Sequence, residues 1–268
     1  MAADVVVVGE STVFSLITWN IDGLDEKDRS ERTSAVISTV RKLRPDVLYL
    51  QEVVPTTWHR LTSALESRYE CRAANPELPY FHAVFVARKE TIDVSDSLKI
   101  TKFSQSQMLR HLLHQEVTIA GQTLHLLTSH LESTKNYAGE RKRQLAQVFE
   151  EMQKLSANDN VSIFGGDLNV RDSEVEAVGV PQGCVDVWEA CGADPGKKFT
   201  WDTEVNHNLQ VPFKSRCRFD RLYLCQGASP SVKATSFELI GQDLVESCVR
   251  YPSDHWGILA KFEVRSRQ

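Results

Sequence analysis

Short polar motifs border four apolar runs of this chain, at the points where the runs begin or end. Each run is short and bounded by polar residues, which is typical of a buried strand. Each motif therefore places polar side chains at a strand end, and we expect these ends to meet in one cleft. In chain order the motifs are Thr18-Trp19-Asn20, Leu50-Gln51-Glu52, Gly165-Gly166-Asp167-Leu168-Asn169 and Ser253-Asp254-His255.

The composition is typical of a folded α/β domain. Of the 268 residues, 41% are hydrophobic and 25% are charged, which is enough apolar material for a sizeable core. No repeat or Pro/Gly-rich linker divides the chain, and no apolar run approaches the roughly 18 residues of a membrane span. We therefore expect one domain over residues 12–266 and no membrane partner. Residues 1–11 are expected to be a frayed, disordered end or a remnant of the expression vector.

The cysteines indicate the cellular compartment, and the net charge indicates how the chain would contact a nucleic acid. The six cysteines include no CxxC pair and no zinc-like spacing, so we expect buried free thiols and a reducing compartment, the nucleus or the cytoplasm. A net charge of −5 argues against extended duplex binding. If the partner is nucleic acid, we expect a short, local contact by a monomer.

The apolar periodicity predicts both helix-separated and hairpin-linked strands. Such a mixture favours mixed sheets over a doubly wound parallel sheet, with two sheets packed face to face between outer helices. On the helix over residues 139–155 we expect Arg141, Lys142 and Glu150 to face solvent. Strands are expected at residues 14–19, 46–52, 80–88, 112–119, 123–131, 161–164, 218–224 and 255–262, and helices at 30–43, 55–67, 139–155 and 186–191.

Glu52 is the main candidate for a metal ligand. A carboxylate beside a buried run must be exposed, paired or metal-bound, because an unpaired buried charge costs several kcal/mol. Alone, a surface glutamate would be the simpler interpretation. Together with the other motifs, Glu52 predicts a site for Mg²⁺, with Mn²⁺ as a substitute, since Mg²⁺ accepts one carboxylate plus waters. Asp254 is a second candidate, for a metal or a catalytic role.

Asp167 and Asn169 are candidates for activating water. They flank one residue, so on an extended backbone their side chains would point the same way. Gly165 and Gly166 leave room for close approach of backbone or ligand. We predict that Asp167 deprotonates the water, that Asn169 contacts phosphate or the ion shell, and that Asn20 assists. The alternative is an Asx turn that closes the strand.

His255 needs a partner that fixes its tautomer, and Asp220 at the start of a strand is the candidate. A hydrogen-bonding or protonated His255 would stabilise negative charge on pentavalent phosphorus. His130, at another strand end, is predicted to be a second phosphate contact. For the remaining single histidines we expect structural roles; these include His59, His82, His114 and His207.

The segment around Trp201 is polar, rich in Asn and weakly periodic. Its apolar residues Trp201, Leu209 and Val211 allow two interpretations. They pack locally within a loop, or they form a wall against which a base or another aromatic group rests.

Taken together, the four motifs resemble the signature of the endonuclease/exonuclease/phosphatase superfamily, and the resemblance spans residues 12–266. It implies a four-layer α-β-β-α sandwich, in agreement with two mixed sheets between helices. It also implies metal-dependent hydrolysis of phosphate esters.

Within that superfamily, residues 19–24, 129–134, 200–203 and 253–257 most resemble the 5′-tyrosyl-DNA phosphodiesterase family. This resemblance implies release of topoisomerase II tyrosine adducts from DNA 5′ ends, leaving a 5′-phosphate. The partners would be a short single-stranded DNA 5′ end and a topoisomerase-derived peptide. Glu52 would bind Mg²⁺, and Asn20, Asp167, Asn169 and His255 would be catalytic. The residues implied to grip the 5′ end are Tyr80, His130, Ser133, Arg171, Trp201, Leu209 and Val211.

One departure keeps alternatives open. Leu168 replaces the threonine usual in that family, as in abasic-site endonucleases, so this motif does not choose between them. An abasic endonuclease, a deadenylase and a phosphoinositide phosphatase remain alternatives of the same chemistry. An inactive binding domain would require a broken catalytic set, and none of its five residues is replaced.

Overall fold

A computed structural model describes residues 11–265, in which strands and helices alternate irregularly along the chain. The strands are β1 (Ser11–Asn20), β2 (Val47–Val53), β3 (Tyr69–Ala73), β4 (Phe81–Ala87), β5 (Ile92–Lys102), β6 (His111–Ile119), β7 (Gln122–His130), β8 (Val161–Asp167), β9 (Cys184–Asp186), β10 (Trp201–Asp202), β11 (Arg216–Cys217), β12 (Asp220–Gln226), β13 (Val232–Ile240) and β14 (Gly257–Arg265). The α-helices are α1 (Arg29–Leu43), α2 (Pro55–Leu65), α3 (Ala138–Leu155), α4 (Asp172–Val178) and α5 (Val187–Ala190).

Two mixed six-stranded sheets carry the fold. The first has the order β13-β14-β1-β2-β4-β3, and the second has the order β5-β6-β7-β8-β12-β9. In each sheet one central pair is parallel, β1 with β2 and β7 with β8, and the other neighbours are antiparallel. Because parallel strands end at the same edge, each sheet brings two strand ends together.

The two sheets pack face to face between helices, as the sequence predicted. Phe14 and Leu16 of the first sheet share one buried cluster with Leu124 and Ile163 of the second. A second cluster joins the first sheet to α1 and α2, and a third joins the second sheet to α3 and α4. The four-layer α-β-β-α sandwich is confirmed.

Two buried hydrogen bonds also connect the sheets across the apolar core. The Tyr49 hydroxyl of β2 donates to the carbonyl of Ile163 on β8 at 3.2 Å. The side-chain amide of Gln51 donates to the hydroxyl of Thr128 on β7, also at 3.2 Å. Both bonds originate on β2 and reach the parallel pair of the opposite sheet.

The predicted elements are all present, with ends that differ by a few residues, but some elements were missed. The unpredicted elements are the strands β3, β5, β9, β10, β11 and β13 and the helix α4. The strand β5, for example, is an edge strand with several exposed polar residues. The prediction for Arg141 is wrong because it did not include α4: the side chain is fully buried instead of facing solvent. Its guanidinium pairs with Glu174 of α4 at 2.6 Å and donates to the carbonyl of Glu132.

The cysteine prediction is wrong for one pair. Cys184 and Cys225 lie opposite each other on β9 and β12 and form a disulfide, because the antiparallel register brings their side chains together. The strand β1 begins at Ser11, one residue before the predicted domain start, and residues 1–10 and 266–268 lie outside the described residues. No helix within residues 11–265 is long and apolar enough to cross a membrane.

Candidate active site

An irregularity near the end of β2 sets the direction of the Glu52 side chain. The register of β2 against β4 shifts between Leu50 and Val53, and Glu52 has a φ of +54°. A bulge of this kind redirects a side chain and often lies beside an active site. A Cβ atom on Gly23 would lie 2.1 Å from the Glu52 carbonyl oxygen, so only glycine permits this approach. Local backbone geometry therefore sets the direction of the Glu52 carboxylate.

The ends of β7 and β8 deliver His130 and Asp167 side by side. These residues are register partners, and His130 Nε2 lies 3.2 Å from Asp167 Oδ2. His130 Nδ1 lies 3.9 Å from Glu52 Oε1, so the ring lies between carboxylates of the two sheets. The strands approach closely here because Gly166, with a φ of +148°, has no Cβ, which would otherwise lie 1.9 Å from the Ser129 carbonyl oxygen.

Asp167 lies where these residues converge. Its Oδ2 accepts a hydrogen bond from Asn20 Nδ2 at 3.0 Å, which confirms that the two predicted residues meet. Burial opposes ionisation of the carboxyl, but the charges of His130 and His255, with hydrogen bonds from His130 and Asn20, hold its pKa well below the usual range. Asp167 is therefore an ionised, buried carboxylate.

Asn169 differs from its predicted geometry. Its φ is +54°, so the backbone is left-handed here and the side chain does not simply parallel that of Asp167. The Asn169 N–H donates to Asp167 Oδ1 at 3.0 Å, which is the Asx turn considered as the alternative. Its side-chain amide donates to the Leu131 carbonyl at 3.3 Å. The turn orients Asp167 and keeps Asn169 beside it.

His255 is held by contacts on each side of its ring. Its Nδ1 lies 2.8 Å from Asp220 Oδ2, which confirms the predicted pair, and its Nε2 lies 3.7 Å from Asp167 Oδ2. Its carbonyl accepts a hydrogen bond from the Trp19 indole at 2.9 Å. Burial opposes protonation, but the carboxylates of Asp220, Asp254 and Asp167 raise the pKa of His255 well above its ordinary value. The surrounding carboxylates therefore favour the protonated form of the ring.

The residues around Glu52 fit a divalent cation. Ligand atoms of Glu52, His130 and Asp167 all lie within 4.8 Å of one another. Burial, together with the negative charges of Asp254 and Glu52, raises the pKa of Asp22 to about 8, although Arg32 lies 3.2 Å away. A divalent ion would offset this repulsion among carboxylates, whose oxygens are hard ligands.

Asp254, predicted as a ligand or a catalytic residue, has another partner. Its Oδ2 accepts a hydrogen bond from the Trp201 indole at 3.1 Å, while its Oδ1 is 4.0 Å from His255 Nε2. Asp254 therefore joins the histidine to the Trp201 segment, and its role in metal binding stays a prediction.

An aromatic wall extends from His255. The backbone of Trp201 forms an isolated β-bridge with that of His255. The Phe219 ring lies 5.6 Å from the Trp201 ring and 6.4 Å from the His255 ring, and the Arg171 guanidinium lies 5.6 Å above Phe219. Trp201 and Arg171 thus lie together beside the site. Phe219 was missed, although its position next to Asp220 in the sequence was an available signal.

The other residues predicted to bind the 5′ end are spread over separate segments around the site. The Tyr80 hydroxyl donates to the Met108 carbonyl at 2.9 Å, and the Ser133 hydroxyl lies 3.2 Å from Met108 Sδ, so both contact one segment. Leu209 remains 36% exposed and Val211 is half-buried. Their contact with a substrate stays a prediction.

Comparisons with known proteins agree with this arrangement. Residues 17–255, which include all four motifs, match the Endonuclease/Exonuclease/phosphatase family. The chain is 40% identical to tyrosyl-DNA phosphodiesterase 2 of Homo sapiens over 94% of its own length and 69% of that protein, and 40% identical to the Danio rerio protein over 94% and 68%.

Solved structures give the same result. The crystal structure of Danio rerio TDP2 complexed with single strand DNA product superposes with a TM-score of 0.88 at 39% identity, covering 94% of this chain and 99% of that one. TDP2 from Caenorhabditis elegans superposes with a TM-score of 0.84 at 38% identity, covering 93% and 75%. The chain therefore belongs to the endonuclease/exonuclease/phosphatase family, and within it to the tyrosyl-DNA phosphodiesterase 2 group.

Proposed function

We propose that the chain hydrolyses the 5′-phosphotyrosyl bond between DNA and a trapped topoisomerase II tyrosine, leaving a 5′-phosphate for break repair. Its family membership makes it a phosphodiesterase, and the relative solved with single strand DNA product supports a DNA substrate. The observation that carries the chemistry is the convergence of Asn20, His130 and His255 on the single carboxylate of Asp167.

Asp167 acts on the attacking water. A carboxylate with a lowered pKa stays ionised at neutral pH, and its Oδ1 is fixed by the N–H of Asn169 while Asn20 holds its Oδ2. Such a group can orient a water molecule for in-line attack on phosphorus and accept its proton. The polar neighbours therefore set the direction from which water approaches.

His255 stabilises the charge that develops on phosphorus. Its Nδ1 is committed to Asp220, so its Nε2 is the nitrogen left to face the phosphoryl oxygens. A pre-positioned cation in a buried site stabilises a developing negative charge more strongly than the same cation in water. Asp220 contributes by fixing the ring orientation.

Glu52 would hold Mg²⁺, or Mn²⁺ in its place, on the basis of the carboxylate cluster around it. Such an ion, held by Glu52, would supply Lewis acidity beside the phosphate. The tyrosine phenol has a pKa of about 10 and is a better leaving group than a sugar alkoxide. The chain therefore needs no strong general acid at the departing oxygen.

The wall of Trp201, Phe219 and Arg171 is suited to a short single strand. Aromatic rings with an adjacent guanidinium stack on bases without reading their sequence. A monomer with a net charge of −5 would hold only the first nucleotides, with the topoisomerase peptide beyond the phosphate. A role in DNA repair would require the protein in the nucleus, and we propose that it is also present in the cytoplasm.

A direct comparison of substrates tests the proposal. We expect rapid turnover of a 5′-tyrosyl oligonucleotide in Mg²⁺ and much slower cleavage of an abasic duplex of matched sequence. The variant Asp167→Asn is the control for contaminating nucleases. Faster cleavage of the abasic duplex would instead support the abasic-endonuclease alternative.

A further inference from the structure

A buried carboxyl group that the proposed mechanism does not use lies just after β7. Glu132 is fully buried, and in the sequence it follows His130 and directly precedes Ser133, which are both predicted to bind the 5′ end. Burying a carboxyl group is unfavourable unless hydrogen bonds replace its contacts with water. The hydrogen-bond partners of Glu132 therefore indicate what it stabilises.

Three neutral groups donate hydrogen bonds to the carboxyl oxygens of Glu132. The Ser106 hydroxyl donates to Oε2 at 2.8 Å, and the Gln107 N–H donates to Oε1 at 2.7 Å. The side-chain amide of Gln144, on α3, donates to Oε2 at 3.0 Å. Two of the three donors thus belong to the connection between β5 and β6, residues 103–110, which we call the 103–110 segment.

The helix α3 holds the backbone of Glu132. Its N–H donates to Gln144 Oε1 at 2.9 Å, and its carbonyl accepts a hydrogen bond from the Arg141 guanidinium at 2.9 Å. Both helix residues are buried, which protects these bonds from competition by water. Because a long helix holds its backbone, Glu132 presents its carboxyl oxygens to the 103–110 segment from a fixed position.

Ser106 extends this contact to the rest of the 103–110 segment. While it donates to Glu132, its hydroxyl oxygen accepts hydrogen bonds from the N–H groups of Arg110 at 2.8 Å and Met108 at 3.3 Å. Between the two buried ends of the segment, every side chain is exposed or half-buried, and Leu109 has a left-handed φ of +57°. Because a segment of this kind has few buried apolar contacts, its bonds to Glu132 determine its path.

The 103–110 segment contacts two of the residues predicted to bind the 5′ end. Its Met108 carbonyl accepts the hydrogen bond from the Tyr80 hydroxyl, and Met108 Sδ lies 3.2 Å from the Ser133 hydroxyl. The Arg110 guanidinium also lies 5.4 Å from the centre of the Tyr80 ring. Tyr80 directly precedes β4 of the first sheet, and Ser133 follows β7 of the second. A change in the path of the segment would therefore displace contacts on both sides of the site.

We propose that Glu132 is a positioning residue, which holds the 103–110 segment where Tyr80 and Ser133 bind the 5′-tyrosyl end of the substrate. This role rests on the proposed function. The carboxyl oxygens of Glu132 are buried and bonded to three donors, so its effect reaches the substrate through the segment. The groups that act on water and phosphorus stay in place without it, so its loss should weaken substrate binding more than it slows the chemical step.

Steady-state kinetics of Glu132→Gln with two substrates test the proposal. The variant keeps the size of the side chain but replaces one acceptor oxygen with an NH₂ group, which cannot accept a hydrogen bond. We expect KM for a 5′-tyrosyl oligonucleotide to rise about tenfold while kcat stays within about threefold of the wild type. For bis-para-nitrophenyl phosphate, which has no nucleotide, we expect kcat/KM to stay within about twofold.

Asp46→Asn is the matched control. Asp46 is also buried, and its Oδ2 accepts hydrogen bonds from the Ser15 N–H at 2.8 Å and the Ser15 hydroxyl at 2.9 Å, at the opposite end of β2 from Glu52. We expect this variant to lower Tm, as Glu132→Gln also should, without raising KM. An unchanged KM in Glu132→Gln, or equal losses on the two substrates, would overturn the proposal.

A second variant decides the question if Glu132→Gln fails to fold. Ser106→Ala removes the hydroxyl that connects Glu132 to the 103–110 segment, and we expect the same pattern with a smaller rise in KM. The N–H groups of Gln107 and Arg110 should exchange with deuterium faster than in the wild type. Unchanged exchange would overturn the positioning role, whereas a wild type inactive on the tyrosyl oligonucleotide would refute the proposed function.

Discussion

The strand β7 carries two histidines whose surroundings are opposite in character. At its end, His130 lies between Glu52 and Asp167, and His255 nearby is surrounded by carboxylates that raise its pKa. Five residues earlier, His125 faces another imidazole in a setting that lowers its pKa. Burial disfavours the charged ring in both places. The neighbouring charges make the difference: carboxylates favour the protonated ring of His255, whereas no carboxylate near His125 outweighs its burial, and its pKa is lowered.

Asp167→Asn should have the largest effect in this comparison. It removes the base and the negative charge that faces His130 and His255, while the Asn20 side-chain amide loses its acceptor or finds a weaker one. We expect kcat on a 5′-tyrosyl oligonucleotide to fall by about 10²-fold or more. Single-turnover kinetics would measure this loss. A fall of less than about threefold would contradict a role for Asp167 in water activation.

Glu52→Gln should have the second largest effect, a severe loss of activity whose size depends on the metal concentration. A neutral amide binds a divalent ion more weakly than a carboxylate, so excess Mg²⁺ should restore part of the turnover. Titration of activity with Mg²⁺ for the wild type and the variant checks this. Identical curves at limiting Mg²⁺ would mean that Glu52 is not the ligand.

Asp220→Asn should reduce turnover less, by about tenfold, and change the pH profile. The Asp220 carboxylate raises the pKa of His255, so its loss lowers that pKa. Activity that requires the protonated ring is retained below the pKa and lost as pH rises through it. The alkaline limb of kcat against pH should therefore move to lower pH in the variant. An unmoved limb would show that His255 does not act as the cation.

His114→Gln should have the smallest effect on catalysis. His114 lies on β6 opposite Leu127, three residues before the His130 that contacts Asp167. We therefore expect kcat in saturating Mg²⁺ to stay within about twofold of the wild type. A larger loss, in a variant with unchanged Tm, would show that the two ends of β7 are coupled. This would remove the contrast between the histidines at the end of β7 and those earlier along it.

The apolar runs predicted most of the fold. β2 and β8 are almost wholly buried, and β1 is buried from Leu16 to Asn20, so their positions and their polar ends could be read directly. The pairing of His255 with Asp220 could also be predicted, because a strand-end carboxylate was the natural partner for the ring. Edge elements such as β5 alternate less clearly and were missed.

The remaining features depend on contacts between distant segments. The left-handed backbone of Glu52 follows from the close approach of Gly23, and that of Asn169 from its turn around Asp167. The burial of Arg141 requires α4, and the disulfide Cys184–Cys225 requires the register of β9 against β12. Local pattern alone contains none of this information.

The Tyr49 hydroxyl, which bonds across the apolar core to the carbonyl of Ile163, has a consequence for how this protein can vary. Glu52 lies on one sheet and Asp167 on the other, so the two sheets cannot slide past one another without separating these two carboxylates. Tyr49→Phe would keep the aromatic ring but remove this hydrogen bond between the sheets. Buried contacts between the sheets, more than the loop sequences, would then limit which substitutions such an enzyme accepts.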